Sequence, residues 1–212
     1  TMAEYILEMN HISKSFPGVQ VLDDVTLQVR SGEVHALMGE NGAGKSTLMK
    51  ILMGIYTADA GGVVLEGRPM NVHSPREAID CGVAMIHQEL NPILDMQVFE
   101  NIYVGREISK HGIVNKRAML RETEELLQKL GIDIPATAYM RDLSVAQCQL
   151  IEIVKAISLS AKVVVMDEPT SAITDREVAT LFAQIKRLKE QNVAIIYISH
   201  KMDEIFQICD RI

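Results

Sequence analysis

Tryptophan is absent from the 212 residues and aromatic side chains make up only 4%, so the 48% hydrophobic share is almost wholly aliphatic. Cysteine is scarce too: Cys81, Cys148 and Cys209 are odd in number and widely scattered, and none belongs to a C-x-x-C pair. That excludes a disulfide framework and a zinc site of the usual spacing, and all three are expected to be buried thiols in a reducing compartment. The longest apolar stretches, such as Val163-Val164-Val165-Met166 and Val193-Ala194-Ile195-Ile196, fall far short of the ~20 residues that cross a bilayer. The start of the chain also lacks the basic-then-apolar layout of a signal peptide. Positive charge is in deficit, with 21 Lys and Arg against 28 Asp and Glu and a net charge of −7. This argues against non-specific nucleic-acid binding, which leans on clustered Lys and Arg. What remains is a soluble globular protein, expected in the cytoplasm, forming one large domain or a domain with a subdomain. Thr1 ahead of Met2 reads as foreign to a natural start, and Asp210-Arg211-Ile212 stops as an apolar segment begins, so the natural chain is expected to continue.

Against this plain background one segment carries chemistry. Gly39-Glu40-Asn41-Gly42-Ala43-Gly44-Lys45-Ser46-Thr47 fits the pattern G-x-x-x-x-G-K-[ST] at every fixed position. The glycines allow a tight turn whose backbone N–H groups point inward at a phosphate. Lys45 adds a positive charge, Ser46 offers a hydroxyl to Mg²⁺, and a helix starting near Lys45 adds the partial positive charge of its N-terminus. The bland alternative, a glycine-rich turn that matches by accident, is disfavoured by context. Val34 to Met38 reads as a buried strand and Leu48 to Met53 as a helix, the strand–loop–helix order the motif needs.

The rest of the chain supplies a frame for that loop. Tyr5 to Met9 and Val25 to Val29 read as strands of a β-rich opening, with a turn at Pro17-Gly18. Asp59-Ala60-Gly61-Gly62 reads as a turn, Val63 to Glu66 as a short strand, and Ser74-Pro75-Arg76-Glu77 as a capped helix start. Val83 to Ile86 is a further buried strand. From about Val98 to Ser158 the pattern is helical, with Leu120, Thr123, Leu126, Leu127 and Leu130 on one face of a helix stopping at Gly131. Strand Val163 to Asp167, helix Arg176 to Gln191, strand Val193 to Ser199 and helix Met202 to Cys209 follow. Alternating strands and helices imply an α/β fold with a parallel sheet covered on both faces.

Further polar residues stand where apolar strands end. Val163 to Met166 delivers Asp167 and Glu168 at a carboxyl end, the edge where ligands sit in open α/β sheets. Asp167 suits a Mg²⁺ partner that acts through water or through the ligands around the ion, and Glu168 suits the base that takes a proton from a water attacking a γ-phosphate. A solvated acidic turn before Pro169 is the alternative for the strand taken alone. Gln88 follows Val83 to His87 and reaches toward a metal or attacking water, and His200 follows Ile195 to Ser199 as a donor to a γ-phosphate. Leu143-Ser144-Val145-Ala146-Gln147 has two readings: a capping box and hydrophobic staple opening an ordinary helix, or an exposed helix N-terminus that binds an anion.

Taken together, Gly39 to Thr47, Gln88, Leu143 to Gln147, Val163 to Glu168 and His200 resemble the nucleotide-binding domain of ABC transporters over nearly the whole chain. The wording His87-Gln88-Glu89-Leu90, Asp167 to Ser171 and Tyr197 to Met202 is most similar to importers of ribose, galactose, xylose or arabinose. The resemblance implies a P-loop core with an N-terminal antiparallel β subdomain and an inserted helical subdomain over about 90–158, in the first half of a tandem chain. It implies ATP and Mg²⁺ as cofactors, with the 39–47 loop on the phosphates and Ser46, Gln88 and Asp167 on the metal. Glu168, Gln88 and His200 take catalytic roles, Phe16 stacks on adenine, and Ser144 and Gln147 contact a neighbouring domain's nucleotide. The implied partners are a second nucleotide-binding domain, membrane permease subunits and, indirectly, a periplasmic sugar-binding protein, with the chain at the cytoplasmic face of the membrane. A soluble ATPase of this kind acting on ribosomes or DNA, and a module that binds ATP with weak hydrolysis, are the alternatives. Two departures stand out: Val145 and Ala146 replace two glycines of the usual signature, and Ile173-Thr174 replaces Leu-Asp, Thr174 with Glu177 reading instead as a capping box.

Overall fold

Strand pairing follows from where the branched apolar residues lie. The computed structural model describes residues 5–40, 42–87, 92–110 and 112–212, so the expectations placed on Asn41 and Gln88 fall outside the described residues. In chain order the elements are β1 (Leu7–Phe16), β2 (Val19–Val29), β3 (Val34–Leu37), α1 (Lys45–Leu52), β4 (Ala60–Leu65), β5 (Arg68–Pro69), α2 (Pro75–Cys81), β6 (Val83–Ile86) and α3 (Val98–Tyr103). They continue as β7 (Ser109–Lys110), β8 (Ile113–Val114), α4 (Lys116–Leu130), α5 (Val145–Ser158), β9 (Val163–Asp167), α6 (Asp175–Glu190), β10 (Ala194–Ile198) and α7 (Met202–Ile208).

Among the described residues two four-stranded sheets hold every strand but β7 and β8, which pair with each other. An antiparallel sheet runs β2-β1-β4-β5 and a parallel sheet runs β3-β10-β9-β6. Of the 18 residues of β3, β6, β9 and β10, all but His35 and Asp167 are apolar or aromatic, as expected of strands covered on both faces. One face packs α1 and the antiparallel sheet through Leu48, Leu52, Val165 and Ile196; the other packs α5 and α6 through Ile153, Phe182, Ile185 and Tyr197. A third apolar cluster joins α3, α4 and the outer side of α5 through Phe99, Ile102, Met119, Leu127 and Ile151. The predicted stripe on α4 buries Thr123, Leu127 and Leu130, and Gly131 caps the helix in the left-handed conformation.

The structure corrects three expectations. The predicted turn at Asp59 to Gly62 is instead the start of β4, because Ala60 to Gly62 pair with β1. Glycine is needed there for a packing reason: β1 bulges at His11, whose φ of 55° switches the inward phase from Met9 to Ile12. Opposite that bulge, a Cβ on Gly61 would lie 2.3 Å from the His11 carbonyl oxygen and 2.4 Å from that of Asn10. The helical stretch from Val98 to Ser158 also contains the short β7–β8 hairpin, two residues per strand and too brief for a period-2 signal. Cys81 is exposed rather than buried, since it ends a short surface helix whose buried residue is Ala78; Cys148 alone of the three thiols is fully buried. Among the described residues no helix is long and apolar enough to cross a membrane.

Gly61→Ala combines a backbone collision with a φ of +87° and is expected to destabilise the fold by about 2–4 kcal/mol in urea unfolding. Gly62→Ala, with nothing within 4 Å of the added Cβ, is expected to stay within about 0.5 kcal/mol of the parent; equal losses for both would remove the bulge argument.

Candidate functional site

Register brings the candidate residues to one edge. Ile198 stands level with Leu37 of β3 on one side and Asp167 of β9 on the other, and Ile86 of β6 is level with Met166. The four parallel strands therefore end together, and the loops leaving them carry the 39–47 segment, His87, Glu168 and His200.

The loop after β3 turns into α1 through Gly44, which caps the helix with φ 90° and offers no side-chain hydrogen bond to the first turn. A side chain is excluded there, since a Cβ would lie 2.6 Å from Leu22 Cδ2 and 3.0 Å from the Val21 carbonyl oxygen. Three other helices, α2, α4 and α5, differ. Ser74, Asn115 and Ser144 accept a bond from their own first turn, so those N-terminal donors are internally met. The start of α1 is left for an anion from outside. Lys45 Nζ bonds the carbonyl oxygens of Gly39 at 2.5 Å and Glu40 at 2.9 Å, which holds its charge over the loop.

A cleft of about 360 Å³ opens here, lined by Val21, Gly42, Gly44, Lys45, Ser46, Thr47, Asp167, Glu168 and Ile198. Asp167 is partly buried, and its carboxyl sits above the usual carboxylate range: burial is the main cause, the neighbouring Glu168 charge adds to it, and His87 and Lys45 oppose it. Glu168 has φ 45°, unusual for a residue with a side chain, and its N–H donates to the Ile198 carbonyl oxygen at 2.9 Å. One carboxylate oxygen of Glu168 lies 3.0 Å from His200 Nδ1. In the tautomer with hydrogen on Nδ1, His200 donates that bond.

The remaining predicted residues lie elsewhere. Ser144 caps α5 in a reciprocal box with Gln147, at 3.2 Å and 2.9 Å, and Leu143 and Cys148 join the same apolar cluster as the staple pattern requires. Gln147 lines a separate cleft of about 200 Å³ between α5 and α6, and neither it nor Ser144 lines the cleft at Lys45. The Glu177 carboxyl is held below its ordinary value chiefly by the Thr174 backbone and side chain, with a smaller contribution from Ser144. Thr174 and Glu177 form the capping box of α6. Of the two residues in place of the signature glycines, Val145 is 49% exposed and Ala146 is buried. Phe16 packs edge-on against Tyr56 at 5.3 Å, with Lys14 Nζ 5.7 Å from its ring, and is not among the cleft residues.

Two features escaped the sequence reading. Val21 and Ile198 line the cleft, and nothing local marks either. Beneath His200 lies a buried polar cluster of Thr170, Tyr197, Ser199 and Glu204. Its one sequence signal is Tyr197, a hydroxyl inside an otherwise aliphatic strand.

A family model described as ABC transporter matches residues 22–171. The galactose/methyl galactoside import ATP-binding protein MglA of Escherichia coli (strain K12) is 52% identical over 209 residues, covering 99% of this chain and 41% of that protein. A putative ribose/galactose/methyl galactoside import ATP-binding protein of Geobacillus kaustophilus (strain HTA426) is 54% identical over 211 residues, covering 99% of this chain and 42% of that protein. The chain thus spans less than half the length of the curated relatives it matches. Among solved structures, a nucleotide-free ATP-binding cassette from an ABC transporter superposes with a TM-score of 0.86 at 28% identity, covering 97% of this chain and 85% of that one. An ADP conformation of an ATP-binding cassette gives the same TM-score of 0.86 at 28% identity, covering 98% and 86%. With the parallel sheet, the antiparallel sheet and the glycine-rich 39–47 segment in chain order, the chain belongs to the ABC transporter family and has the fold of its ATP-binding cassette.

Proposed function

We propose that this chain binds ATP with Mg²⁺, hydrolyses it, and energises import of a sugar through a partner permease. The observation that carries the reading is the convergence of Lys45, Ser46, Asp167 and Glu168 on one cleft, with His200 bonded to Glu168. Both relatives described above are import ATP-binding proteins, which supports it.

In this reading the 39–47 loop and the start of α1 hold the phosphates, and Lys45 neutralises part of their charge. A hard divalent cation takes oxygen ligands; the Ser46 hydroxyl and Asp167 carboxylate line the cleft and would supply them, with Gln88, outside the described residues, as a further ligand in this reading. Bound there, Mg²⁺ would offset phosphate charge and that of Asp167. Phosphate oxygens of the nucleotide and water would complete the ligand set. Water attacks the γ-phosphorus, the bond to the β–γ bridging oxygen breaks, ADP leaves, and Glu168 takes the proton. His200 orients the Glu168 carboxylate through Nδ1 and reaches the γ-phosphate once the nucleotide is bound. Phe16 stacks on adenine.

Ser144 and Gln147 stand away from this cleft, which supports assigning them to the nucleotide of a second cassette. Closure of two cassettes on ATP then drives the permease, with this chain peripheral at the cytoplasmic face and a periplasmic sugar-binding protein acting on the far side. The unit at 90–158, built on its own apolar cluster, is the helical subdomain of that arrangement.

Lys45→Ala is expected to weaken ATP binding ~10–100-fold by calorimetry; unchanged affinity would sink the phosphate-loop assignment. Glu168→Gln should cut turnover ~10²-fold or more while ATP affinity stays within ~3-fold, and undiminished hydrolysis would remove Glu168 from the base role. Asp167→Asn tests the metal-site charge. Because the folded pKa of Asp167 is raised, its ionised form costs stability at neutral pH, a cost that vanishes as pH falls through that value. The asparagine variant should therefore melt ~1–3 °C higher without nucleotide or metal, yet lose Mg²⁺-dependent turnover. A lower melting temperature would show the carboxylate to be stabilising.

A further inference from the structure

The buried cluster beneath His200 is organised around one carboxylate. Glu204, on α7, is only 8% exposed, and a buried carboxylate is tolerated only when its oxygens are bonded. Tyr197 donates its hydroxyl to Oε2 at 2.8 Å, and Thr170 Oγ1 lies 2.7 Å from both carboxylate oxygens and gives its one proton to the pair. Ser199 Oγ approaches Oε2 at 3.4 Å, and Lys201 Nζ pairs with Oε1 at 3.0 Å. Lys201 also donates to the Thr170 carbonyl oxygen at 3.2 Å, and its backbone N–H donates to Ser199 Oγ at 3.1 Å. Burial pushes the Glu204 carboxyl up, but the donors Thr170, Lys201 and Tyr197 outweigh it and hold the group below its ordinary value, so it stays ionised.

The partners of this carboxylate come from the two loops that carry the hydrolytic pair. Thr170 lies two residues after Glu168 in the loop leaving β9, and Ser199 and Lys201 flank His200 in the loop leaving β10. The His200 side chain is 71% exposed, so burial does not hold its ring against Glu168. The shared carboxylate clamps both loops at fixed separation. We propose that Glu204 is a positioning residue that sets the Glu168–His200 geometry through Thr170, Ser199 and Lys201. The proposal rests on the ATP hydrolysis proposed above. A bonded charge buried for fold specificity alone would use the same contacts, so the test must separate positioning from folding.

The experiment compares Glu204→Gln and Tyr197→Phe with the parent in the full-length protein. Both keep side-chain volume, the first removing the charge and the second one donor. Glu204→Gln is expected to lower kcat ~5-fold or more with the ATP KM within ~2-fold, and Tyr197→Phe to shift kcat the same way by less. In nucleotide-free protein with labelled histidine, the imidazole signals of His200, assigned by their loss in His200→Ala, should move in Glu204→Gln. Unchanged kcat and unmoved His200 signals overturn the proposal, as does a kcat loss that only follows the fraction of folded protein in thermal melts. A parent protein without turnover overturns the hydrolysis reading and this one together, whereas a parent that turns over beside unaltered variants overturns this one alone.

Discussion

The level ending of β9 and β10 is the constraint on which the site depends. Ile198 pairs opposite Asp167, and the next residue of the β9 chain, Glu168, donates its N–H to the Ile198 carbonyl oxygen. A slip of one residue would exchange the faces of every side chain on a strand buried on both sides. Aliphatic residues packed above and below the sheet therefore hold the register, and the register holds two acids beside the start of α1.

Around that edge the protein leaves unmet what it satisfies elsewhere. Gly44 leaves the first turn of α1 without a side-chain cap, whereas Ser74, Asn115 and Ser144 cap their helices internally. Asp167 is held above its usual range by burial and a like charge, and Glu168 occupies a left-handed conformation. Each is a local cost of roughly 1–3 kcal/mol at most, and such costs gather at sites that bind a charged partner. The apolar clusters on either side of the parallel sheet offset them.

Much of this was legible from residue order. The glycine turn into α1, the apolar strand ending in Asp167-Glu168, the capping boxes at Ser144 and Thr174 and the stripe on α4 are local patterns, and each formed as its spacing predicts. The misses share a cause. Ala60-Gly61-Gly62 has turn composition, yet it is strand because a bulge in β1 leaves no room for a side chain. Val21 reaches the cleft because of how the antiparallel sheet meets α1, which no local period encodes.

Sequence alone determined most of the elements, the glycine-rich 39–47 segment and the residue types able to handle a nucleotide, since turns, caps and strand burial depend on near neighbours. Tertiary structure decided which of those residues meet. It placed Glu168 against His200 across 32 positions of chain, tied Thr170 to Glu204 across 34, and kept Ser144 away from the cleft at Lys45. Contacts between residues so far apart arise only when parallel strands align and helices pack on them, because the free energy that fixes them belongs to the shared core.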